Sequence, residues 1–563
     1  MSRVGRGRAL ATSVEPIPSA GSGAERVEDR GERLTGGRRR QSDGCNSRTL
    51  ALFGAIVRNV LSNWTDFAVS AVIGFFLSPY LVHTLGNEGY GNWTMIVTIC
   101  GYISLIDLGI PQGVVQFVAR YHATEDASRA SEVVSSAVLV LSLSAVGGVV
   151  ASGALAWLYP CYMPMEGTSV LQVQLALLVA GMSASLTPLM EIPTAILAAR
   201  HNFHLINATG IVVRLLLAGG IVAVLTQGFG LAAMACVTLV AVLLGQLARG
   251  FIARRLAPRL LLGLTLIRRS ASRELLGYAI WLHVVRIVRM LLSNVDLVLV
   301  GFFYGPVGAA YYGIALTLIT YAQSAIGGLA SVLSPIAIEG DAKAEAWRSR
   351  ALLIRSSRVG LMLAGVIFIG FVFWGKEFIA KWMGPVYVEG VEFTSAATIL
   401  VVAAAGRVLA GGLVGPQQTL IAMRQVRTLA RITVAQGALA TVTACLCAKY
   451  WSPLGAAAAA SAGAIAAQAA VTVRSCRLTQ VTVTQFVSDV VLPSLLGLAI
   501  VSLACFGIGL VITGTGWAGI FIKIAATALV ALPVGIRLCM RTEERQALLM
   551  QVASRLRLTG RAQ

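Results

Sequence analysis

Charge is what this 563-residue chain has least of. Only 12% of its residues are Asp, Glu, Lys or Arg, about half the share of a soluble domain, which excludes an ordinary soluble fold. Lysine is nearly absent: the five lysines, Lys343, Lys376, Lys381, Lys449 and Lys523, are followed by Ala, Glu, Trp, Tyr and Ile. A phosphate-cradling P-loop needs Lys followed by Ser or Thr, so a nucleotide-driven pump in one chain is excluded. The nine cysteines lie mostly in apolar runs, with no Cys-x-x-Cys and no disulfide-like pair, and read as small hydrophobes. His201-x-x-His204 has metal-like spacing but no matched second pair, so neither a metal nor a cofactor is expected. The longest loop expected on the outer side, WGKEFIAKWMGPVYVEGVEF, offers only Glu377, Glu389 and Glu392 as carboxylates. That is thin equipment for catalysis, and no enzyme is expected.

What fills the chain instead is apolar surface: 56% hydrophobic residues and a mean hydropathy of +0.78. Runs of roughly 18 or more apolar residues recur along its length, the mark of a polytopic helical membrane protein. About fourteen spans are expected, at 49–82, 93–116, 134–158, 170–192, 206–226, 229–250, 275–302, 310–336, 352–374, 394–421, 430–448, 454–473, 490–512 and 517–538. Residues 1–48, rich in Arg, Gly and Ser, read as a disordered cytoplasmic tail. At the other end, 539–563 form an amphipathic tail with Leu548, Leu549, Val552 and Leu556 on one face.

The net charge of +20 would suggest nucleic acid in a soluble protein. Here it reports topology. Arg249, Arg254, Arg255, Arg259, Arg268, Arg269 and Arg273 crowd one inter-span loop, and Lys343, Arg348, Arg350, Arg355 and Arg358 another. Loops of opposite parity (83–92, 159–169, 226–229, 303–312) hold no Lys or Arg. The positive-inside rule then puts both termini in the cytoplasm, with a cytoplasmic-membrane location and no nucleic-acid partner.

A repeat is visible at an offset of roughly 220 residues. The turn LGNEGYGNW at 85–93 is echoed by YGPVGAAYYG at 304–313, and GFGLAAMA at 228–235 by SPLGAAAAA at 452–460. The expected fold is all-α: two repeated six-helix lobes (49–250 and 275–473) around a central cavity. A basic cytoplasmic linker (251–274) joins them, and two additional spans follow (474–538). Repeats of this kind mark alternating-access transporters, with the site between the halves.

The first hairpin carries a Leu-Gly…Tyr-Gly-x-Trp turn (Leu85, Gly86, Tyr90, Gly91, Trp93), then a Leu-x-Asp-Leu-Gly segment (Leu105, Asp107, Leu108, Gly109) leading to Arg120-Tyr121. It closely resembles the start of the oligosaccharide flippases, the O-antigen and exopolysaccharide branch of the multidrug/oligosaccharidyl-lipid/polysaccharide exporter superfamily. The resemblance implies translocation of a polyprenyl-diphosphate-linked oligosaccharide from the inner to the outer leaflet, with membrane lipids and polysaccharide polymerase or assembly proteins as partners. The long N-terminal tail departs from the family pattern.

Ionisable residues inside spans point the same way. Each costs roughly 2.5–3.5 kcal/mol at a helix centre unless it faces protein or a wet cavity. The first span carries Asn59, Asn63, Asp66 and Ser70 as one stripe, with Arg58 beside it. The seventh places Arg286, Arg289, Ser293 and Asp296 within about 80° of arc, flanked by His283. Arg214 interrupts the fifth span, and Arg407 the tenth, ahead of Gly411-Gly412 and Gly415-Pro416. Guanidinium forks match phosphate oxygens, so Arg286 and Arg289 lead the candidate substrate-binding set of Arg58, Asn63, Asp66, Asp107, Arg214, His283, Arg286, Arg289, Asp296 and Arg407. Asp66 and Asp296 would orient the arginines, accept sugar hydroxyls or take a coupling proton. The competing reading is that these residues are ion pairs that lock the bundle, and Asp107 serves equally as a helix cap. Glu191 reads as structural, and Lys523 lies outside both lobes. A multidrug exporter of the same superfamily is the main functional alternative, although organic cations want acidic or aromatic pockets. A membrane-embedded glycan-assembly enzyme is the other.

Overall fold

The computed structural model describes residues 31–162, 169–200, 202–342, 346–390, 393–423 and 425–539. The side chains of Arg58, Asn63, His283, Arg289 and Ser293 lie outside the described residues, as do His201 and both distal tails. Two compact units are present, Met1–Leu61 and Ser62–Gln563; every interaction below belongs to the second.

The chain is all-α, with no strand among the described residues. Helix α1 (Gly31–Ile103) runs into a 3-10 turn (Ser104–Asp107), followed by α2 (Ile110–Ala123), α3 (Ala127–Tyr162), α4 (Val170–Met190), α5 (Ile192–Ala199), α6 (Phe203–Thr226) and α7 (Leu231–Leu256). Next come α8 (Arg269–Ala342), α9 (Ala346–Trp382), α10 (Val386–Glu389), α11 (Ala396–Gly412), α12 (Val414–Ala422), α13 (Val426–Tyr450) and α14 (Pro453–Leu478). The short α15 (Val483–Phe486), then α16 (Leu492–Val511) and α17 (Trp517–Cys539), close the series.

Among the described residues, eleven helices are long and apolar enough to cross a membrane, or twelve if the pair Ala396–Gly412 and Val414–Ile421, bent by 47°, is one broken span. The expected count was about fourteen, and the difference lies in two long elements. Thr65–Asp107 is one element of 43 residues and Asn294–Gly328 one of 35, where two spans each were expected. At about 1.5 Å per residue the longer would rise about 65 Å, roughly twice a hydrocarbon core. Each is broken at one glycine: Gly86 (φ 70°, ψ 177°) and Gly305 (φ 70°, ψ −176°). That region of backbone space is essentially reserved for glycine. The two expected turns thus adopt the same conformation 219 residues apart, which is the sequence repeat seen in the backbone.

Helices α3, α4, α6 and α7 pack on one another, as do α8, α9, α11, α13 and α14, while α16 and α17 lie on α9. The two groups meet around the glycine turns. Tyr90, Tyr311, Tyr312, Trp382 and Tyr387 are buried in one cluster there, and Trp382 Nε1 donates to the Phe75 carbonyl at 2.7 Å. A Cβ on Gly91 would fall inside the Pro306 carbonyl, and Gly301 packs on Met95. This end of the bundle is solidly filled.

Gly91→Ala should therefore force the two turns apart, an overpacking cost of about 1–3 kcal/mol. Gly147→Ala, where a Cβ meets nothing within 4 Å, is the control. Thermal unfolding of the detergent-purified protein should show a lower Tm for Gly91→Ala and no loss for Gly147→Ala.

Candidate functional site

Three carboxylates expected to carry function are held by arginines from other helices. Asp66 on α1 pairs with Arg214 on α6. Asp107, at the end of the 3-10 turn, pairs with Arg286 on α8 at 2.6 Å. Asp296 on α8 pairs with Arg407 on α11 at 2.6 Å and also accepts the Tyr312 hydroxyl. A carboxylate left alone in such surroundings would be severely penalised, so each pairing is what permits the charge to be there.

Asp107 acts as the expected cap and also holds an ion pair. Oδ1 accepts the Gly109 N–H at 2.9 Å, fixing the left-handed Leu108-Gly109 corner (φ 52° and 70°) that starts α2. Oδ2 takes Arg286. The Asp-Leu-Gly sequence is thus a cap and a charge holder at once.

The shared face expected for Arg286 and Asp296 does not become a shared site. Ten residues of helix separate them by about 15 Å, and each finds its own partner. Their exposure separates them further. The Arg214 and Arg286 side chains are both 40% exposed, whereas Arg407 is only 10% exposed on a fully buried Asp296. Arg407 has the geometry of an internal ion pair; Arg214 and Arg286 keep N–H groups available.

Two residues that sequence reasoning set aside join the exposed pairs. Arg249, counted among loop arginines, lies within α7 and donates to Thr209 Oγ1 at 2.8 Å and to the Ile206 carbonyl at 3.3 Å. Glu191, read as structural, sits in the field of Arg286, Asp107 and Arg249, and Arg249 in turn in that of Arg214 and Asp66. Gly210 leaves the room: a Cβ there would touch Arg249, Asp66 and Arg214 at 3.4–3.9 Å. The result is one charged string in the order Asp66–Arg214–Arg249–Glu191–Arg286–Asp107, of three guanidiniums and three carboxylates, joined by direct pairs at its two ends and by electrostatic proximity between them. The signal for Arg249 was its distance inside the apolar run before Arg254. Tyr312 had no signal beyond its place in the repeated turn. Lys523, also set aside, is buried and donates to Glu377 at 2.7 Å, under Trp374, which fastens α17 to α9. No cluster of three or more metal-ligating side chains occurs among the described residues.

A bundle of this length with an internal charged string has the form of a multi-pass membrane transporter, and solved structures agree on the fold. An inward-facing multidrug resistance MATE family transporter of the MOP superfamily superposes with a TM-score of 0.60 at 14% identity, over 76% of this chain and 98% of that one. The lipid II flippase MurJ, in an inward closed conformation, gives 0.60 at 14% identity, over 85% and 98%. A MOP superfamily transporter from Pyrococcus furiosus, described as having a binding pocket of reversed polarity, gives 0.55 at 14% identity, over 76% and 94%. In sequence, a putative O-antigen transporter of Shigella flexneri is 23% identical over 157 residues, 27% of this chain. The match spans about a third (36%) of that relative's length. Residues 56–340, just over half of the chain, match the family described as "Polysaccharide biosynthesis protein". The chain belongs to that family. Its named relatives and structural neighbours are transporters and a flippase, not enzymes.

The Asp296–Arg407 pair gives a stability test independent of transport. Arg407→Met alone strands a buried carboxylate and should cost about 3–5 kcal/mol, whereas Asp296→Leu with Arg407→Met should recover most of it. A double-mutant cycle on Tm reads the difference.

Proposed function

We propose that this protein flips a polyprenyl-diphosphate-linked oligosaccharide from the inner to the outer leaflet of the cytoplasmic membrane for polysaccharide biosynthesis, by alternating access without ATP. The observation that carries this reading is the charged string with two half-exposed guanidiniums, in a chain whose spans are predominantly apolar. Residues 49–250 and 275–473 are read as two lobes and 474–538 as two further spans, with both termini cytoplasmic. The glycine turns, which lack Lys and Arg, then mark the outer end, and that end is the filled one. The site opens toward the cytoplasmic leaflet.

The string is charge-balanced, so a diphosphate binds by exchange. Its oxygens take the Arg214 and Arg286 forks from Asp66 and Asp107, replacing one charge-assisted pair by another. Asp107 and Arg286 belong to different lobes, so their separation couples head-group capture to relative movement of the lobes. The freed carboxylates accept sugar hydroxyls or a coupling proton. Arg289, His283, Arg58 and Asn63 are included in the proposed substrate site from their places on the same spans.

The membrane potential supplies direction. With the interior negative, outward movement of an anion is favoured by about 2.3 kcal/mol per charge per 100 mV. An organic-cation exporter would need an unclaimed carboxylate, and Asp66, Asp107 and Asp296 each hold an arginine.

Proteoliposomes loaded with a fluorescent polyprenyl-diphosphate oligosaccharide provide the test. Wild type should flip it, and folded Arg286→Ala/Arg289→Ala protein should be slower by roughly tenfold to a hundredfold, the worth of one lost charged hydrogen bond. Transport of organic cations with this lipid left unmoved would sink the reading. In the same vesicles an inside-negative diffusion potential should speed outward flipping, and reversing its sign should slow it. Insensitivity to either sign would remove the potential as the drive.

A further inference from the structure

A polar cavity of about 300 Å³ lies away from the charged string, lined by α8, α11, α12, α13 and α14. That is the lower end of small-molecule sites, roughly 300–1,000 Å³, and suits one small ring. Its lining is mixed. Alanines from α13 and α14, whose short side chains vacate the space, alternate with Gln436 and Gln468 on the same helices, and Asp296, Gln323, Arg407 and Gln417 come from α8, α11 and α12.

Four of these polar groups, Asp296, Arg407, Gln417 and Gln468, are held by hydrogen bonds. The Gln468 amide donates to the Leu413 carbonyl at 2.8 Å, at the break between α11 and α12, and accepts from Gln417 Nε2 at 3.2 Å. Gln323 and Gln436 make no hydrogen bond among the described residues. Asp296 is fully buried, and while Oδ2 serves Arg407 and Tyr312, Oδ1 has no hydrogen-bond partner. The Tyr102 hydroxyl, in the field of the same pair, is also buried and unpartnered. Buried acceptors and donors left open in this way cost free energy unless something fills them.

We infer that this cavity is a subsite for one neutral pyranose of the transported glycan. The inference rests on the flippase reading above and adds where the sugar is recognised. The Asp296–Arg407 pair is neutral overall, so the cavity offers no net pull on a free ion. Amides, a guanidinium and a carboxylate oxygen together match a ring of hydroxyls that both donate and accept. The alanines between those amides fit the C–H faces of the same ring. The diphosphate on the string and the sugar in the cavity would thus be read by separate groups.

The test uses full-length protein in proteoliposomes and labelled polyprenyl diphosphates, bare or carrying one hexose, one N-acetylhexosamine or one uronic acid. Wild type should take a neutral-sugar lipid with a lower KM than the bare one. Gln436→Leu and, separately, Gln323→Leu should raise that KM by roughly three- to tenfold, the worth of a neutral hydrogen bond, and leave bare-lipid flipping unchanged. Arg286→Gln should impair both lipids alike. If wild type flips the lipids without preferring either neutral sugar, or the glutamine variants weaken bare and sugar lipids equally, the subsite is overturned while the flippase stands. A glutamine effect seen only as altered sodium dependence also overturns it, in favour of a cation site. If wild type flips none of them, the flippase reading itself has failed. Unchanged Tm in either glutamine variant secures the comparison.

Discussion

The structure depends on one constraint: a charge inside a membrane bundle must meet its opposite. The chain meets it by drawing the two charges from different helices. Asp66 with Arg214 joins α1 to α6, and Asp296 with Arg407 joins α8 to α11. Lys523 with Glu377 joins α17 to α9, and Asp107 with Arg286 joins the end of α1 to α8. Such pairs contribute less to net stability than to uniqueness of arrangement, because breaking one leaves a stranded charge. They act as pins that exclude other helix registers.

The pins are not equivalent, and the difference follows from water. Arg407 and Asp296 are enclosed with Tyr312, where no competing anion reaches them at small cost. Arg214 and Arg286 are half exposed, so a phosphate can approach without first desolvating the guanidinium. At the opposite end, closure relies on Tyr311, Tyr387, Trp382 and the Gly91–Pro306 approach, which is close packing tied by neutral hydrogen bonds and carries no ion pair among these residues. On the proposed reading one end is closed by packing, and the other carries the exchangeable charge. A ligand shifts an equilibrium only through differential affinity for its states, and the ionic end is the one an anion can address.

Much of this was legible in the sequence, for reasons that are local. Hydropathy and charge scarcity give an all-helical membrane chain, and the echo of LGNEGYGNW in YGPVGAAYYG appears as matching backbone angles at Gly86 and Gly305. The identities of the ionised residues were legible too, because an Arg or Asp within an apolar run is costly wherever it sits. Their partners were not. Helical periodicity places Arg286 and Asp296 on one face, but Asp107 is 179 residues from Arg286, and no local rule selects it over Asp296. Arg249 was lost because positive-inside counting treats every arginine near a span end as a loop residue, whereas Thr209 and the Ile206 carbonyl draw this one inward. The span tally differs for a related reason: a single glycine in a glycine-only conformation turns the chain between two helices without interrupting the run of helical residues.

If the protein carries a diphosphate lipid as proposed, a charge-balanced string suits it better than a bare cationic hole. Three unpaired arginines facing a diphosphate would gain the full Coulomb energy on binding, and the same energy would oppose release at the other leaflet. Binding that strongly deepens the bound state without lowering the barrier to transport. Where each guanidinium already holds a carboxylate, the incoming phosphate gains only the difference between two charge-assisted pairs. That difference keeps the bound state shallow enough to empty. Selectivity must then come from groups other than the arginines, since any phosphate or carboxylate ligand could make the exchange. Neutral amides facing a hydroxyl-bearing ring discriminate by leaving buried donors and acceptors unpaired when the wrong ligand enters. On this account capture and recognition are assigned to different helices: charge on α1, α6, α7 and α8, and amides on α8, α12, α13 and α14.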